Sequence, residues 1–177
     1  MLSNWIAAAT LASLLNASPD SRQFVELVSA PHVTVAAGKP AAVELRFHVS
    51  QGFHINSNLP RSSYLIPTKL SLNPPTDVGV GKVTYPPGRD IELSFAPGEK
   101  LNVYTGDFAI GAKVSAVRTA TPGHFKVHGD LSYQACNDRA CYPPKKLPVS
   151  IDVTVSRSRV AAETPRRRNP AQSPHIH

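Results

Sequence analysis

The chain has 177 residues, which is enough for one domain of about 120 to 140 residues with tails at its ends. Its 17 prolines and 10 glycines favour a loop-rich β protein over a helical one. The net charge is +7, but residues 157–177 hold five arginines and one glutamate and so account for +4 of it. The charge therefore indicates a basic tail, not a nucleic-acid-binding face.

An apolar segment near the start is the first predicted element. The eleven residues from Trp5 to Leu15 are apolar or small, which is typical of the core of an export signal and too short to span a bilayer. We therefore predict a signal peptide over residues 1–17, cleaved near Ala17, and a periplasmic or secreted location. Lys and Arg are absent before this segment, so a short buried helix is the alternative.

Alternating apolar residues predict a series of strands after Gln23. The clearest runs from Val43 to Val49, where apolar residues alternate with Glu44, Arg46 and His48. Further strands are predicted near residues 33–35, 78–83, 91–95, 108–116, 125–133 and 147–155, with proline or glycine turns at 38–40, 73–75, 86–88, 96–98 and 121–123. This pattern predicts an all-β, immunoglobulin-like antiparallel β-sandwich over residues 18–155. Residues 156–177 are predicted to be a disordered basic tail.

The only two cysteines, Cys136 and Cys141, follow one predicted strand and precede the last. Two strands meeting at a short turn would place both sulfurs near a hairpin tip, close enough to bond if their Cβ vectors converge. Side-chain alternation puts Cys136 on the face away from Tyr133, unless a bulge intervenes. Pro143 and Pro144 interrupt pairing beside Cys141, which should therefore be the more open sulfur.

The spacing of the cysteines leaves several functions open. A permanent disulfide closing so small a ring would stabilise the fold by roughly 2 kcal/mol, and the spacing alone favours such a staple in a non-catalytic binding module. A redox-active dithiol is the alternative. A zinc site is disfavoured because no second Cys-x-x-Cys or matched His pair is present. A copper or zinc carrier using His54, His124 or His128 is the least favoured interpretation, so we predict no metal and no cofactor.

The region from Val33 to Val155 resembles the N-terminal periplasmic domain of the thiol:disulfide interchange protein DsbD. The specific match is Tyr133-Gln134-Ala135-Cys136 together with Cys141-Tyr142-Pro143-Pro144. Weaker matches are Gly52-Phe53-His54-Ile55-Asn56-Ser57-Asn58, Ile66-Pro67-Thr68 and Tyr104-Thr105-Gly106.

This resemblance implies an immunoglobulin-like sandwich with one redox-active cysteine pair, and it favours exchange over the permanent staple. Such a protein would be a protein-disulfide reductase or electron relay that serves disulfide repair or cytochrome c maturation. Its electron donor and acceptor would be thioredoxin-like domain proteins. The family's second cysteine, here Cys141, would form the mixed disulfide, and Cys136 would resolve it.

The resemblance also implies a cap loop over the sulfurs, formed by Tyr104 and Gly106. The alternative is an ordinary edge tyrosine packed on a neighbouring strand. The remaining residues expected near the site are Tyr133, Gln134, Tyr142 and Pro143.

The chain departs from the family pattern in three respects. It has no apolar run of about 20 residues and no thioredoxin-like Cys-x-x-Cys, so we predict no transmembrane segment and expect the electron donor to be another chain. Enteric members have one more residue between the cysteines. They also carry carboxylates ahead of the aromatic residue of the cap loop, whereas Leu101, Asn102 and Val103 precede Tyr104 here.

Overall fold

The computed structural model describes residues 22–93 and 96–157. The predicted signal peptide, Phe95 and all but the first two residues of the predicted tail lie outside this part. The described residues form twelve strands: β1 (Val25–Ser29), β2 (His32–Ala36), β3 (Ala41–Val49), β4 (His54–Asn56), β5 (Lys69–Asn73), β6 (Val78–Val80), β7 (Arg89–Leu93), β8 (Ala96–Tyr104), β9 (Asp107–Ala116), β10 (Gly123–Tyr133), β11 (Ala135–Cys136) and β12 (Lys145–Ser156). Within these residues no helix is long and apolar enough to cross a membrane.

Two four-stranded sheets form the immunoglobulin-like sandwich that the sequence predicts. Their strand orders are β1-β3-β9-β6 and β2-β12-β10-β5. One edge differs from the antiparallel prediction, because β2 runs parallel to β12, with His32 opposite Asp152 and Ala36 opposite Ser156. The cause lies in β1, which pairs with β3 in the first sheet. The chain then passes Pro31 into the second sheet, and Pro31 accepts the backbone N–H of Asp152 at 2.9 Å.

The core lies between these sheets, on the apolar face of each long strand. The alternation of β3 appears as predicted, with Leu45 and Phe47 fully buried and Glu44 and Arg46 exposed. Val127 of β10 and Ile151 of β12 are opposite each other and fully buried. Because each such side chain contributes about 1.5 to 3 kcal/mol on burial, the period-two pattern fixes which face each strand turns inward.

A third sheet, of order β11-β4-β8-β7, carries the cysteine region. The alternation used above to place Cys136 requires that it continue the predicted strand at residues 125–133, and this is wrong. β10 ends at Tyr133, which lies opposite Lys145, whereas Ala135 and Cys136 pair with Ile55 and His54 of β4. Pro143 and Pro144 have no N–H to donate to a ladder, so β12 begins only at Lys145. Residues 135–136 are thereby left to pair with another strand.

The predicted turn at residues 96–98 is also corrected, because these residues begin β8. They lie next to the end of the β7–β8 pair, where the register shifts between Glu92 and Leu93. Gly98 has a φ of 86°, and its N–H donates to Glu92 Oε1 at 2.6 Å. The Glu92 side chain therefore takes the place of a backbone acceptor for Gly98, and turn-forming residues can occupy the start of β8.

Candidate redox site

The two cysteines form a disulfide with an S–S distance of 2.05 Å. They also face each other as an isolated antiparallel bridge. Their surroundings differ, since Cys136 is 0 % exposed whereas Cys141 is exposed. A reagent or protein can therefore reach Cys141 more readily, as the sequence predicts from the prolines beside it.

Asn137 organises the loop between the cysteines. Its N–H donates to the Ala140 carbonyl at 2.9 Å, and its Oδ1 accepts the N–H groups of Arg139 and Ala140 at 2.9 Å each. Its Nδ2 donates to the hydroxyl of Tyr142 at 3.1 Å. An Asn side chain that bonds to the backbone two and three residues ahead stabilises a turn. The loop conformation that brings Cys141 back to Cys136 is thus held by its own first residue.

Tyr142 fixes the chain just after Cys141. Its N–H donates to the Ala135 carbonyl at 2.8 Å. Its ring lies 4.7 Å from that of Phe24 and 5.7 Å from that of Phe53, measured between centroids. Lys145 Nζ is 5.3 Å from the Phe24 ring and also bonds to the Arg22 carbonyl. The exposed Pro143 follows directly, so a packed aromatic cluster supports an open surface beside Cys141.

Tyr133 and Gln134 connect the cysteine region to the rest of the domain. Tyr133 is fully buried, its hydroxyl donates to Gln23 Oε1 at 2.8 Å, and it accepts the N–H of Phe24 at 3.3 Å. Burial raises the pKa of this phenol, which therefore stays protonated. Gln134 Nε2 donates to the Tyr142 carbonyl at 3.2 Å. Tyr133 thus binds the backbone of Phe24, and Gln134 binds the backbone of Tyr142, directly after Cys141.

A buried polar face lies beside Cys136. His54 is directly opposite Cys136 in the ladder, and antiparallel neighbours in register project to the same side of a sheet. Asn56 is two residues on and shares that side, where its Nδ2 donates to the Ile66 carbonyl at 3.0 Å and lies 3.5 Å from Gln134 Oε1. Ile55, Ala135 and Tyr104 are on the other side, in the main core.

Two buried polar atoms of this face are unsatisfied. Within the described residues, His54 Nε2 and Asn56 Oδ1 are the buried side-chain nitrogen and oxygen atoms without a hydrogen-bond partner. His54 is 4 % exposed, and desolvation lowers the pKa of its imidazole, against a smaller opposing effect from the Asp138 carboxylate. Sequence reasoning considers His54 only as a metal ligand. The pairing of β4 with β11 is what makes it a neighbour of the disulfide.

Tyr104 lies at the end of β8, opposite Ile55. It is 3 % exposed and stacks on Phe108 with a centroid distance of 4.9 Å. Its hydroxyl donates to Asn58 Oδ1 at 2.6 Å and lies 3.1 Å from the Pro86 carbonyl. The ring thus packs on Phe108 of the next strand, β9, as the alternative describes, although β8 is an inner strand of its sheet and not an edge. The shielding of the sulfurs by Tyr104 stays a prediction. Gly106 has a φ of 57° in the turn to β9, and its carbonyl accepts the N–H of Val49 at 2.9 Å.

The histidines considered as metal ligands belong to no cluster of three or more metal-binding side chains in the part of the chain that the structure describes. In residues 22–93 and 96–157, no three His, Cys, Asp or Glu side chains form a group that could hold a metal ion. His124 Nδ1 is 3.1 Å from the hydroxyl of Thr154, near the far end of β10 from the cysteines.

One protein-family model matches most of the chain. Residues 21–152 match the family model described as "Thiol:disulfide interchange protein DsbD, N-terminal". The chain belongs to this family. The DsbD N-terminal match covers all strands of both sandwich sheets except the end of β12, together with the disulfide and the third sheet. No curated protein matches the chain in sequence.

The chain is also similar, at low identity, to several solved structures. The N-terminal periplasmic domain of ScsB from Proteus mirabilis has 10 % identity and a TM-score of 0.48, over 67 % of this chain and 43 % of that one. This chain therefore spans less than half of the ScsB chain. The reduced DsbD N-terminal domain of Neisseria meningitidis has 19 % identity and a TM-score of 0.39, over 62 % of this chain and 75 % of that one. A structure of the complex between the DsbD and PilB N-terminal domains of Neisseria meningitidis has 19 % identity and a TM-score of 0.38, over 62 % of this chain and 73 % of that one.

Proposed function

We propose that this chain is a thiol–disulfide exchange protein that passes reducing equivalents through Cys136 and Cys141. Membership of the DsbD N-terminal family supports the proposal, as does the presence of one disulfide with an exposed member. The partners are thioredoxin-like proteins, one as electron donor and one as acceptor, in a periplasmic or other extracytoplasmic compartment. Disulfide repair and cytochrome c maturation are the pathways that such a relay serves.

The observation that carries the proposal is the unequal exposure of the two cysteine residues. A disulfide is exchanged by thiolate attack on one sulfur, with approach along the S–S axis. Exposed Cys141 can meet a partner, whereas Cys136 at 0 % exposure is protected from external thiols and attacks only within the molecule. One reactive and one resolving sulfur are the two parts that an exchange cycle needs.

The cycle balances as a two-electron transfer. In the reduced protein, the Cys141 thiolate attacks the disulfide of the acceptor, forms the Cys141–acceptor bond and releases the first acceptor sulfur as a thiolate. Cys136 then attacks Cys141 Sγ, so the Cys136–Cys141 bond forms and the second acceptor sulfur leaves with the electron pair. The acceptor gains two electrons and the cysteine pair loses them. A thioredoxin-like donor reverses these steps.

The reduction potential of the pair tests the proposal. The purified chain is equilibrated with glutathione and thioredoxin redox buffers, and the oxidised fraction is read after acid quench and alkylation. We expect a potential above about −300 mV, the level below which structural disulfides usually lie. A lower value, with no exchange between the chain and reduced thioredoxin, would support the alternative of a binding module with a permanent disulfide.

A further inference from the structure

We propose that His54 is the proton acceptor for the Cys136 thiol in the resolving step. The inference rests on the proposed exchange function and adds a residue to it. It starts from the ladder of the third sheet, where His54 and Cys136 are direct antiparallel partners. The Cβ atoms of such partners are about 4.5 to 5.5 Å apart, so an imidazole and a thiol at these positions are neighbours.

The unsatisfied nitrogen of His54 can form a hydrogen bond that is absent from the oxidised site. Its Nε2 is buried and has no hydrogen-bond partner among the described residues. A disulfide has no hydrogen to donate, whereas the Cys136 thiol that appears on reduction carries one. Since an unpaired polar atom is costly to bury, the reduced thiol is a favourable partner for this nitrogen.

The charges around His54 suit a transient proton acceptor. Burial lowers the pKa of the imidazole, so His54 is neutral at pH 7 and able to accept. Asp138, in the loop after β11, acts in the opposite sense and stabilises the imidazolium once it forms. Among the ladder partners of β4, the titratable residues are Cys136, opposite His54, and Tyr104, which lies on the other face of the sheet.

The step itself is balanced. Cys141 begins in a mixed disulfide with the partner, and Cys136 is a thiol. The Cys136 proton passes to His54 Nε2 as the sulfur attacks Cys141 Sγ. The Cys136–Cys141 bond forms, the Cys141–partner bond breaks, and the partner sulfur leaves with the electron pair. The proton then passes from His54 to the released thiolate or to solvent, which returns the imidazole to its neutral state.

An aromatic disulfide reagent, dithiobis(nitrobenzoate), separates this step from the first. The reduced full chain releases one coloured thionitrobenzoate when Cys141 attacks the reagent, at a rate proportional to reagent concentration. It releases the second when Cys136 attacks Cys141, at a rate independent of that concentration. We expect His54→Gln to slow the second phase about a hundredfold, the lower end of general acid–base effects, and to leave the first phase unchanged. His124→Gln, at the far end of β10, is the matched control and keeps both phases.

The outcomes distinguish the two proposals. A wild-type chain without a reagent-independent second phase would overturn the exchange function and, with it, the role of His54. Two normal phases in both wild type and His54→Gln would overturn the role of His54 alone.

If His54→Gln does not fold, the pH dependence of the second-phase rate in the wild type tests the role of His54. With His54 as acceptor, the second-phase rate rises with pH only to the lowered pKa of His54 and then levels off. A tenfold rise per pH unit up to the pKa of a free thiol, about 8.5, would overturn the proposal.

Discussion

The side-chain oxygen of Asn137 accepts the backbone N–H of Ala140 at 2.9 Å, and this contact holds Cys141 in reach of Cys136. Asn137→Ala removes that acceptor, together with the bond to Arg139. We expect the reduction potential to rise by roughly 30 mV, equivalent to about 1.4 kcal/mol, because a looser loop brings the two sulfurs together less often. Equilibration with glutathione measures the change.

Asn137→Asp is the control for this loop. The carboxylate keeps an acceptor for Arg139 and Ala140 but loses the donor to the Tyr142 hydroxyl. A potential close to that of the wild type is expected. If Asn137→Ala also leaves the potential unchanged, the turn does not contribute to disulfide closure.

Single cysteine variants test which sulfur meets the partner. Cys136→Ala leaves the exposed Cys141 and should accumulate a mixed disulfide with a thioredoxin-like protein, because no resolving thiol remains. Cys141→Ala leaves only the buried Cys136 and should not. Non-reducing electrophoresis of each variant after incubation with the partner shows the adduct. Trapping by Cys141→Ala alone would reverse the assignment, and trapping by neither would favour the permanent disulfide.

Substitutions of Tyr104 separate shielding from packing. If the ring protects the sulfurs, Tyr104→Ala should speed alkylation of the reduced pair by iodoacetamide. Tyr104→Phe keeps the ring on Phe108 and loses only the hydroxyl contacts with Asn58 and Pro86, so it should alkylate at the wild-type rate. Equal rates in all three chains, under conditions where each is folded, would leave packing on Phe108 as the only role of the ring.

The buried imidazole of His54 makes stability depend on pH. Its pKa is lowered in the folded protein from the ordinary value of 6.5, so the unfolded chain binds the proton more readily. This contribution to stability is complete above pH 6.5 and is lost as the pH falls through the folded pKa. Urea unfolding should therefore show that the free energy of unfolding of the oxidised wild type falls more between pH 7.5 and 5 than that of oxidised His54→Gln.

Asp138 modifies this pH dependence. Its carboxylate favours the charged imidazole, so Asp138→Asn should lower the folded pKa of His54 further and enlarge the loss at acid pH. Arg139→Gln in the same exposed turn is the control for a change of loop charge. A loss as large in Arg139→Gln as in Asp138→Asn would show that total loop charge, and not a specific interaction with His54, is responsible.

The sandwich could be predicted from the sequence because its strands are long and half-buried. Alternation over β3 or β10 extends for nine or eleven residues, which is enough to identify each strand and the face that it buries. The cysteine pair was equally visible, since the chain has no other cysteines. Both the long strands and the cysteine pair can thus be identified from residues that are close together in the sequence.

The neighbours of the disulfide could not be predicted in the same way. β4 has three residues, all buried, and β11 has two, so neither shows a periodic signal. Their pairing joins positions far apart in the chain, His54 and Cys136, and depends on where the two longer strands stop. The role of His54 follows from that pairing and not from the type of residue alone.

The change of sheet at Gln134 has a consequence for how this domain tolerates variation. The strands on either side of the cysteines, β10 and β12, are already in register up to Tyr133 and Lys145. The loop beyond that point is closed by its own bonds at Asn137 and is attached to β4 through Ala135 and Cys136. An inserted or deleted residue between the cysteines can be absorbed there without moving a side chain of the sandwich to the wrong face. Loop length, and with it the strength of the pair as a reductant, is therefore free to diverge while the scaffold stays the same.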